Sequence, residues 1–286
     1  MANTINTNVI VPDVYAQLVR DKIKGKCKVA QFLVNLGDLH GKVGETIKFP
    51  KWGYIGDAKD WAINTPMEVT QMKQTSTSAT IKAIQAPAVK VADYDNEVEL
   101  GNAIEEAAEQ QSIAVGRKYD TDAIACALTS PLKYQLATKN TVTQDEMISI
   151  LGLYGDDRDS ADFDAIVISS LFAKDFYKMD MFTSRERTMT KDGNGIAVNG
   201  EIGEFLGIPV VLSDRLYDST NTEGFILVMK KNAISIIPKE SPFAEASRDA
   251  GLRQTTIYLS QFYAMALTDD TAVVVAKKVL PQNDGK

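Results

Sequence analysis

The chain is poor in the residues that most enzymes rely on. Its 286 residues contain one histidine, His40, and two cysteines, Cys27 and Cys126. A lone histidine in the glycine-bounded turn 37–44 supports neither a serine–histidine–acid nor a cysteine–histidine arrangement, and it reads as solvent-facing. The cysteines lie far apart, without metal-like spacing, and read as buried free thiols, with a disulfide as the alternative. There is no G-x-S-x-G, no Walker-type phosphate loop and no G-x-G-x-x-G, since Gly200, Gly203 and Gly207 are spaced wrongly for it. No apolar run approaches the length needed to span a bilayer. The opening MANTINTNVIVPDV has neither a basic leader nor an apolar signal core, so synthesis in the cytosol is expected. Cations are outnumbered too: Lys and Arg total 31 against 38 Asp and Glu, a net charge of −7, which leaves no overall basic footprint for gripping nucleic acid.

Acids are plentiful, and Asp156, Asp157, Asp159, Asp162 and Asp164 form the best chemical candidate. Taken as a calcium loop starting at Asp157, the run puts Ala161 at a ligand position and Ile168 where a bidentate glutamate belongs. Asp192-Gly193-Asn194-Gly195 fails in the same way. Solvated loop acids are the favoured reading, with a hydrolytic carboxylate pair left open. No cofactor is expected.

Hydrophobic residues at 44% and charged residues at 24% fit a soluble chain with a real core, in one large or two modest domains. The longest uninterrupted feature is 93–130, where nothing breaks a helix before Pro131. Leu100, Ile104, Ala107, Ala108, Val115, Tyr119, Ala123 and Cys126 recur near a 3.6-residue period. Asp93 or Asp95 can cap its start, and Glu97, Glu99, Glu105 and Glu106 precede Arg117 and Lys118, an order that complements the helix dipole. Such a helix runs roughly 50 Å, longer than a small domain is wide. It reads as a girder with a sheet laid along one face.

The segments before it cannot stand alone. Residues 1–43 hold a short helix opened by Pro12, with Val14, Leu18 and Val19, then the basic run Lys22, Lys24, Lys26 and Lys28, then an apolar stretch 29–36. This is an arm, too small for its own core, that must pack on the main body or on a neighbouring chain. Residues 44–92 form a ribbon. Thr46–Trp52 alternates as a strand with Pro50 restricted to an edge, and 75–80 is small and polar on both faces. Trp52, Tyr54, Ile55 and Trp61 near its tip are aromatic and apolar anchors of the kind interfaces favour, unless they fold back into the parent domain.

After the girder, 131–237 reads as an α/β unit. Thr143 and Glu146 make a capping box before a helix bearing Met147, Ile150, Leu151 and Tyr154. Buried strands are expected at 163–168, 207–212, 225–229 and 233–237, with a helix from Ser170. Two loops interrupt it, 183–203 with Arg185 and Arg187, and 218–224. The final quarter contains a long strand at 254–267 and another at 272–276, expected to pair as a hairpin against the girder.

This order of parts resembles the major capsid proteins of tailed double-stranded DNA bacteriophages. It rests on the arm, the ribbon with Gly44-Glu45-Thr46-Ile47-Lys48-Phe49-Pro50-Lys51-Trp52-Gly53-Tyr54-Ile55-Gly56-Asp57-Ala58, the threonine-rich return, the long helix, and Ile202-Gly203-Glu204-Phe205-Leu206-Gly207-Ile208-Pro209-Val210-Val211-Leu212-Ser213-Asp214. The resemblance covers essentially the whole chain. It implies an α+β phage major-capsid fold: N-terminal arm 1–43, extended β-ribbon loop 44–92, a peripheral domain of 93–130 and 238–286 with a long spine helix and antiparallel strands, and an α/β axial domain 131–237. It implies a non-enzymatic shell subunit that assembles with itself into pentamers and hexamers, in a virion built in the host bacterial cytoplasm. A scaffolding protein, a portal and weakly held packaged DNA are the implied partners, and no membrane is involved. Trp52, Tyr54, Ile55, Trp61, Arg185 and Arg187 become candidates for intersubunit contact. Lys22, Lys24, Lys26 and Lys28 become candidates for contact with the inner face or scaffold. One of the two loops is expected at the capsomer axis. No long region precedes the arm, so a separate scaffold or a scaffolding arm is expected. An encapsulin-like compartment shell is the alternative within this architecture, and a cytosolic α/β enzyme using Asp156–Asp164 the alternative outside it.

Overall fold

The structure, a computed structural model, describes residues 12–40, 42–52, 55–58, 60, 66, 69–94, 103–156, 158–183, 201–239 and 242–278, with the side chains of Lys24, Trp52, Thr183 and Glu201 outside that description. At its centre is a seven-stranded sheet. Its strands are β5 (Lys133–Gln135), β6 (Phe163–Ile168), β7 (Phe182–Thr183), β8 (Glu201–Phe205), β9 (Ile208–Leu212), β12 (Ile226–Lys230) and β16 (Val273–Lys277), in the order β5-β16-β12-β6-β9-β8-β7. β6–β9 and β16–β5 are parallel and the other pairs antiparallel.

The continuous apolar runs of the three central strands have a direct cause: both faces of this sheet are covered, so every position is a core position. Ala165, Val167, Leu227, Met229, Val273 and Val275 point into one core, while Ile166, Ile168, Ile226, Val228, Val274 and Ala276 point into another. The second core is closed by α3 (Gln144–Gly152) and α4 (Ser170–Phe176), through Met147, Ile150, Leu151, Phe172 and Phe176. The expected capping box is present on α3: Glu146 N–H donates to Thr143 Oγ1 at 3.3 Å, and Thr143 N–H donates to Glu146 Oε2 at 2.8 Å.

The first core is closed by α1 (Pro12–Ile23), α2 (Ala103–Ala127) and a second sheet. That sheet is built on β15 (Gln254–Leu267). β13 (Ile234–Pro238) and β14 (Phe243–Asp249) share one of its edges, β4 (Lys82–Ala92) takes the other, and β1 (Val34–Asn35) lies parallel to β13. The ribbon is β2 (Thr46–Trp52) paired antiparallel with β3 (Gln74–Thr80), from Thr46 opposite Thr80 to Trp52 opposite Gln74.

Three sequence expectations change here. The hairpin of 254–267 with 272–276 does not form: β15 stays in its own sheet, and β16 crosses to lie between β5 and β12. Strand 233–237, expected in the α/β unit, pairs with β15 instead. Between β12 and β13 the backbone turns at Asn232, φ 61°, a left-handed geometry that asparagine tolerates, and the chain leaves one sheet for the other. A strand at 243–249 was not anticipated, because Phe243-Ala244-Glu245-Ala246-Ser247-Arg248-Asp249 is mostly exposed and lacks a clear alternation.

Candidate assembly surfaces

The arm is seated on α2 by polar groups that the apolar stripe does not announce. The carboxylate of Asp120, 4% exposed, accepts the backbone N–H groups of Lys28, Val29 and Ala30 at 2.8–3.1 Å. One turn earlier the arm crosses Gly116, where an added Cβ would stand 3.3 Å from Lys26 Cβ and 3.5 Å from Cys27 Sγ, so the glycine permits the close approach. Lys22 reaches Glu109 at 3.1 Å and Glu105 at 3.9 Å, and Lys26 also pairs with Glu109. Hydrogen bonds from Lys26 and Lys22 hold the Glu109 carboxyl below its ordinary range. Tyr15 Oη donates to Gln111 Oε1 at 2.8 Å, and Gln111 Nε2 donates to Pro87 O of β4 at 2.9 Å. Two of the four lysines proposed for the inner face, Lys22 and Lys26, are therefore engaged within the chain. Lys28 contributes its backbone amide to Asp120, and the Lys24 side chain lies outside the described residues. The spine glutamates Glu105 and Glu109 meet these arm lysines.

On the same helix Asp122 accepts from Lys118 Nζ at 3.0 Å and from Tyr263 Oη, with Lys82 Nζ at 3.6 Å. Burial works to raise the Asp122 carboxyl, but the Tyr263 and Lys118 hydrogen bonds and the nearby lysine charges bring it below the usual value. Asp120, Asp122 and Gln111 escaped the sequence reading because hydropathy assigns such residues to a solvent face. Their one signal is position, since Asp120 and Asp122 flank the stripe residues Tyr119 and Ala123.

The ribbon is rooted more firmly than its composition suggests. Phe49 is fully buried in a small core with Leu39, Ile81, Ala264 and Ala266, and Lys51 Nζ meets Asp270 Oδ1 at 2.7 Å. Beyond that root apolar side chains face outward: Ile55 is 58% exposed, Met72 58% and Val69 98%. The Trp52 side chain, Tyr54 and Trp61 lie outside the described residues, so of the four ribbon candidates Ile55 is the one placed, and it is exposed. Arg185 and Arg187 also lie outside them. The described ends of their loop are tied together, Phe182 opposite Phe205.

Loop 218–224 is rigidly framed. β10 (Tyr217–Asp218) pairs with β11 (Glu223–Gly224), Lys277 Nζ sits 3.6 Å from Asp218 and 3.7 Å from Glu223, and Asn140 exchanges hydrogen bonds with Thr222 O and Gly224 N. Gly224 packs so tightly that an added Cβ would lie 2.9 Å from Phe172 Cε2. In the acid run, Asp159 caps a short 3-10 turn through Ala161 N at 3.1 Å, Asp157 lies outside the described residues, and among the described residues no metal-sized cluster forms. His40 is exposed, and Cys27 and Cys126 are free thiols.

An arm on a long helix, a two-stranded ribbon rooted by Phe49 and a double-covered sheet together make a distinctive constellation. The chain is 28% identical over 279 residues to the major capsid protein of Staphylococcus phage phiMR11, covering 96% of both sequences. Among solved structures it resembles the capsid of cyanophage P-SCSP1u, with a TM-score of 0.57, 14% identity and 86% of each chain covered. This is a phage capsid shell fold. The capsid fold also extends to a virus-like particle from Pyrococcus furiosus, with a TM-score of 0.57 and 10% identity over 94% of this chain and 100% of that one. No family model matches the chain.

Proposed function

We propose that this chain is the major capsid protein of a tailed double-stranded DNA bacteriophage, located in the virion and self-assembling into the icosahedral shell around the genome. The observation that carries the reading is the colinear match to a phage major capsid protein over 96% of both chains, on a fold shared with solved capsids. Fold likeness alone does not separate a phage shell from other shells, because a virus-like particle shares it; the sequence match favours the phage.

The role is structural. Capsomers are the pentamers and hexamers in which each ribbon, through Trp52, Tyr54, Ile55 and Trp61, overlies a neighbour. Arg185 and Arg187 are further contacts between subunits, and one of the two loops, 183–203 or 218–224, approaches the capsomer axis. A scaffolding protein and a portal complete the assembly. DNA is held without strong gripping, since affinity for phosphate scales with cationic contacts while this chain carries −7 and engages Lys22 and Lys26 internally. Lys28, whose side chain takes part in no ion pair among the described residues, is an arm cation that can meet an inner-face partner, and Lys24 is proposed beside it.

Size-exclusion chromatography with negative-stain microscopy of the expressed full chain tests this. Rings or closed shells are expected, and a monodisperse monomer that never associates would sink the reading. Native particles containing packaged DNA distinguish a phage shell from a compartment, which would co-purify with protein cargo.

A further inference from the structure

One edge of the second sheet is covered over only part of its length. On that side of β15, β13 pairs with 263–267 and β14 with 254–260, so the two strands follow one another in line. The arm covers the β13 part. β1 runs parallel to β13, and the backbone N–H groups of Leu36 and Leu39 donate to Ile236 O at 3.2 Å and Pro238 O at 3.0 Å. The β14 part, Phe243–Asp249, has β15 as its one strand partner among the described residues. Such an edge is a row of open donors and acceptors, which native proteins cover or blunt with charge. Arg248 and Asp249 do not blunt it, because both are engaged within the chain. Arg248 donates to the two oxygens of Asp93 at 2.9 and 2.6 Å, and Asp249 Oδ1 accepts from Gly251 N and Leu252 N at 2.9 and 3.2 Å.

The chain that enters α1 arrives beside this open part. α1 packs against β14, with Ala16 and Ala244 in one core. Contacts at both ends fix its direction. Tyr15 Oη donates to Gln111 Oε1, and Gln111 Nε2 reaches Ile257 O, on the residue opposite Ala246. Arg20 and Ile23 instead line a cavity with Gln261 and Pro238, toward β13. The helix therefore starts toward the Asp249 end of β14, and the residues before Pro12 approach from there. Thr4-Ile5-Asn6-Thr7-Asn8-Val9-Ile10 is rich in β-branched residues and has no proline, glycine or charge, a composition that suits a strand. Its length matches the 7 residues of β14 at the same rise per residue. The longer segments outside the described residues start elsewhere: 95–102 follows β4 on the opposite edge of β15, while 184–200 and 279–286 leave strands of the other sheet.

We propose that residues 4–10 add to the outer edge of β14 as a further strand, running in the same direction as β14, so that the arm closes the whole of this edge. The occupant is the chain's own segment, because the arm already holds the β13 part of the edge and the segment joins α1 where β14 ends. The closure does not require shell formation.

Hydrogen–deuterium exchange, resolved by residue and measured on the unassembled full chain, gives the test. Alternate amides of 243–249 point away from β15. They are expected to exchange about tenfold more slowly in the full chain than in one lacking residues 2–10, while the other amides of β14 are unchanged. Two proline variants supply a second reading. Thr7→Pro and Asn8→Pro, made separately, place the missing N–H toward β14 in one case and away from it in the other. One is expected to abolish the protection and the other to keep most of it, with the main thermal transition unmoved in both. Alternate amides that exchange equally fast with and without residues 2–10, or two prolines with the same effect, would overturn the inference. Protection that appears only on assembly would give the edge to a neighbouring copy, overturning the inference while leaving the shell reading standing.

Discussion

A carboxylate that receives three consecutive amides holds the arm by geometry as much as by charge, and Asp120 allows the two to be separated. Burial pushes its carboxyl up, the three arm amides pull it down, and the charge of Asp214 adds to the rise, leaving it above the ordinary value. A carboxyl raised by folding binds its proton more readily in the folded chain than in the unfolded one. Stability from this group is therefore present below the unfolded value and is lost as pH rises through the folded one. Asp120→Asn keeps oxygen for the amides without the buried charge. It is expected to match or exceed wild type in urea denaturation at pH 7, with the difference closing as pH falls through the raised value. Asp120→Ala orphans three amides and is expected to cost about 2–3 kcal/mol. Equal losses in the two variants would mean that the negative charge itself secures the arm. Its position beside the stripe is the one mark the sequence gives it, and that mark does not decide, because an aspartate there looks the same whether it faces water or a neighbouring turn of backbone.

Elements were more legible than their partners. The alternation of Thr46–Trp52 and the Thr143–Glu146 box are local patterns, and each produced the element it implies; the stripe expected over 93–130 did so across Ala103–Ala127, with 95–102 outside the described residues and 128–130 not helical. Pairing is not local: β16 and β13 are short apolar strands that would satisfy either sheet, and only the turn at Asn232 and the two cores decide between them. The ribbon shows a different limit. Its polar return was readable, but its root was not, because Phe49 is a single aromatic whose partners, Leu39, Ile81, Ala264 and Ala266, come from three separate parts of the chain. Phe49→Ala removes that anchor, a loss of about 3–5 kcal/mol of local packing. Limited proteolysis should then cut the chain between 52 and 74 faster, while the main thermal transition of the seven-stranded sheet stays in place. A main transition that falls with it would show that root and body unfold as one unit.

At the scale of the molecule, the decisive feature is that one sheet separates two cores. Each central strand contributes alternate side chains to both, so removing a strand opens the packing on both faces at once. β16 is the clearest case. It pairs with β12 on one edge and β5 on the other, and Val273, Val274, Val275 and Ala276 are all fully buried. Had it formed a hairpin with β15 as its sequence suggests, it would be a peripheral strand whose loss a large body could tolerate. In its actual place its loss leaves β12 and β5 with unpaired edges and exposes apolar surface to water on two sides. The arm and the ribbon, by contrast, attach to the first core and to the small Phe49 core without interrupting the sheet. A chain truncated before Val273 is therefore expected to show no cooperative thermal transition and no near-ultraviolet dichroism, even at low protein concentration where assembly plays no part. A cooperative transition in that truncated chain would mean the remaining strands close a stable sheet without β16, and the two cores would then have to be independent.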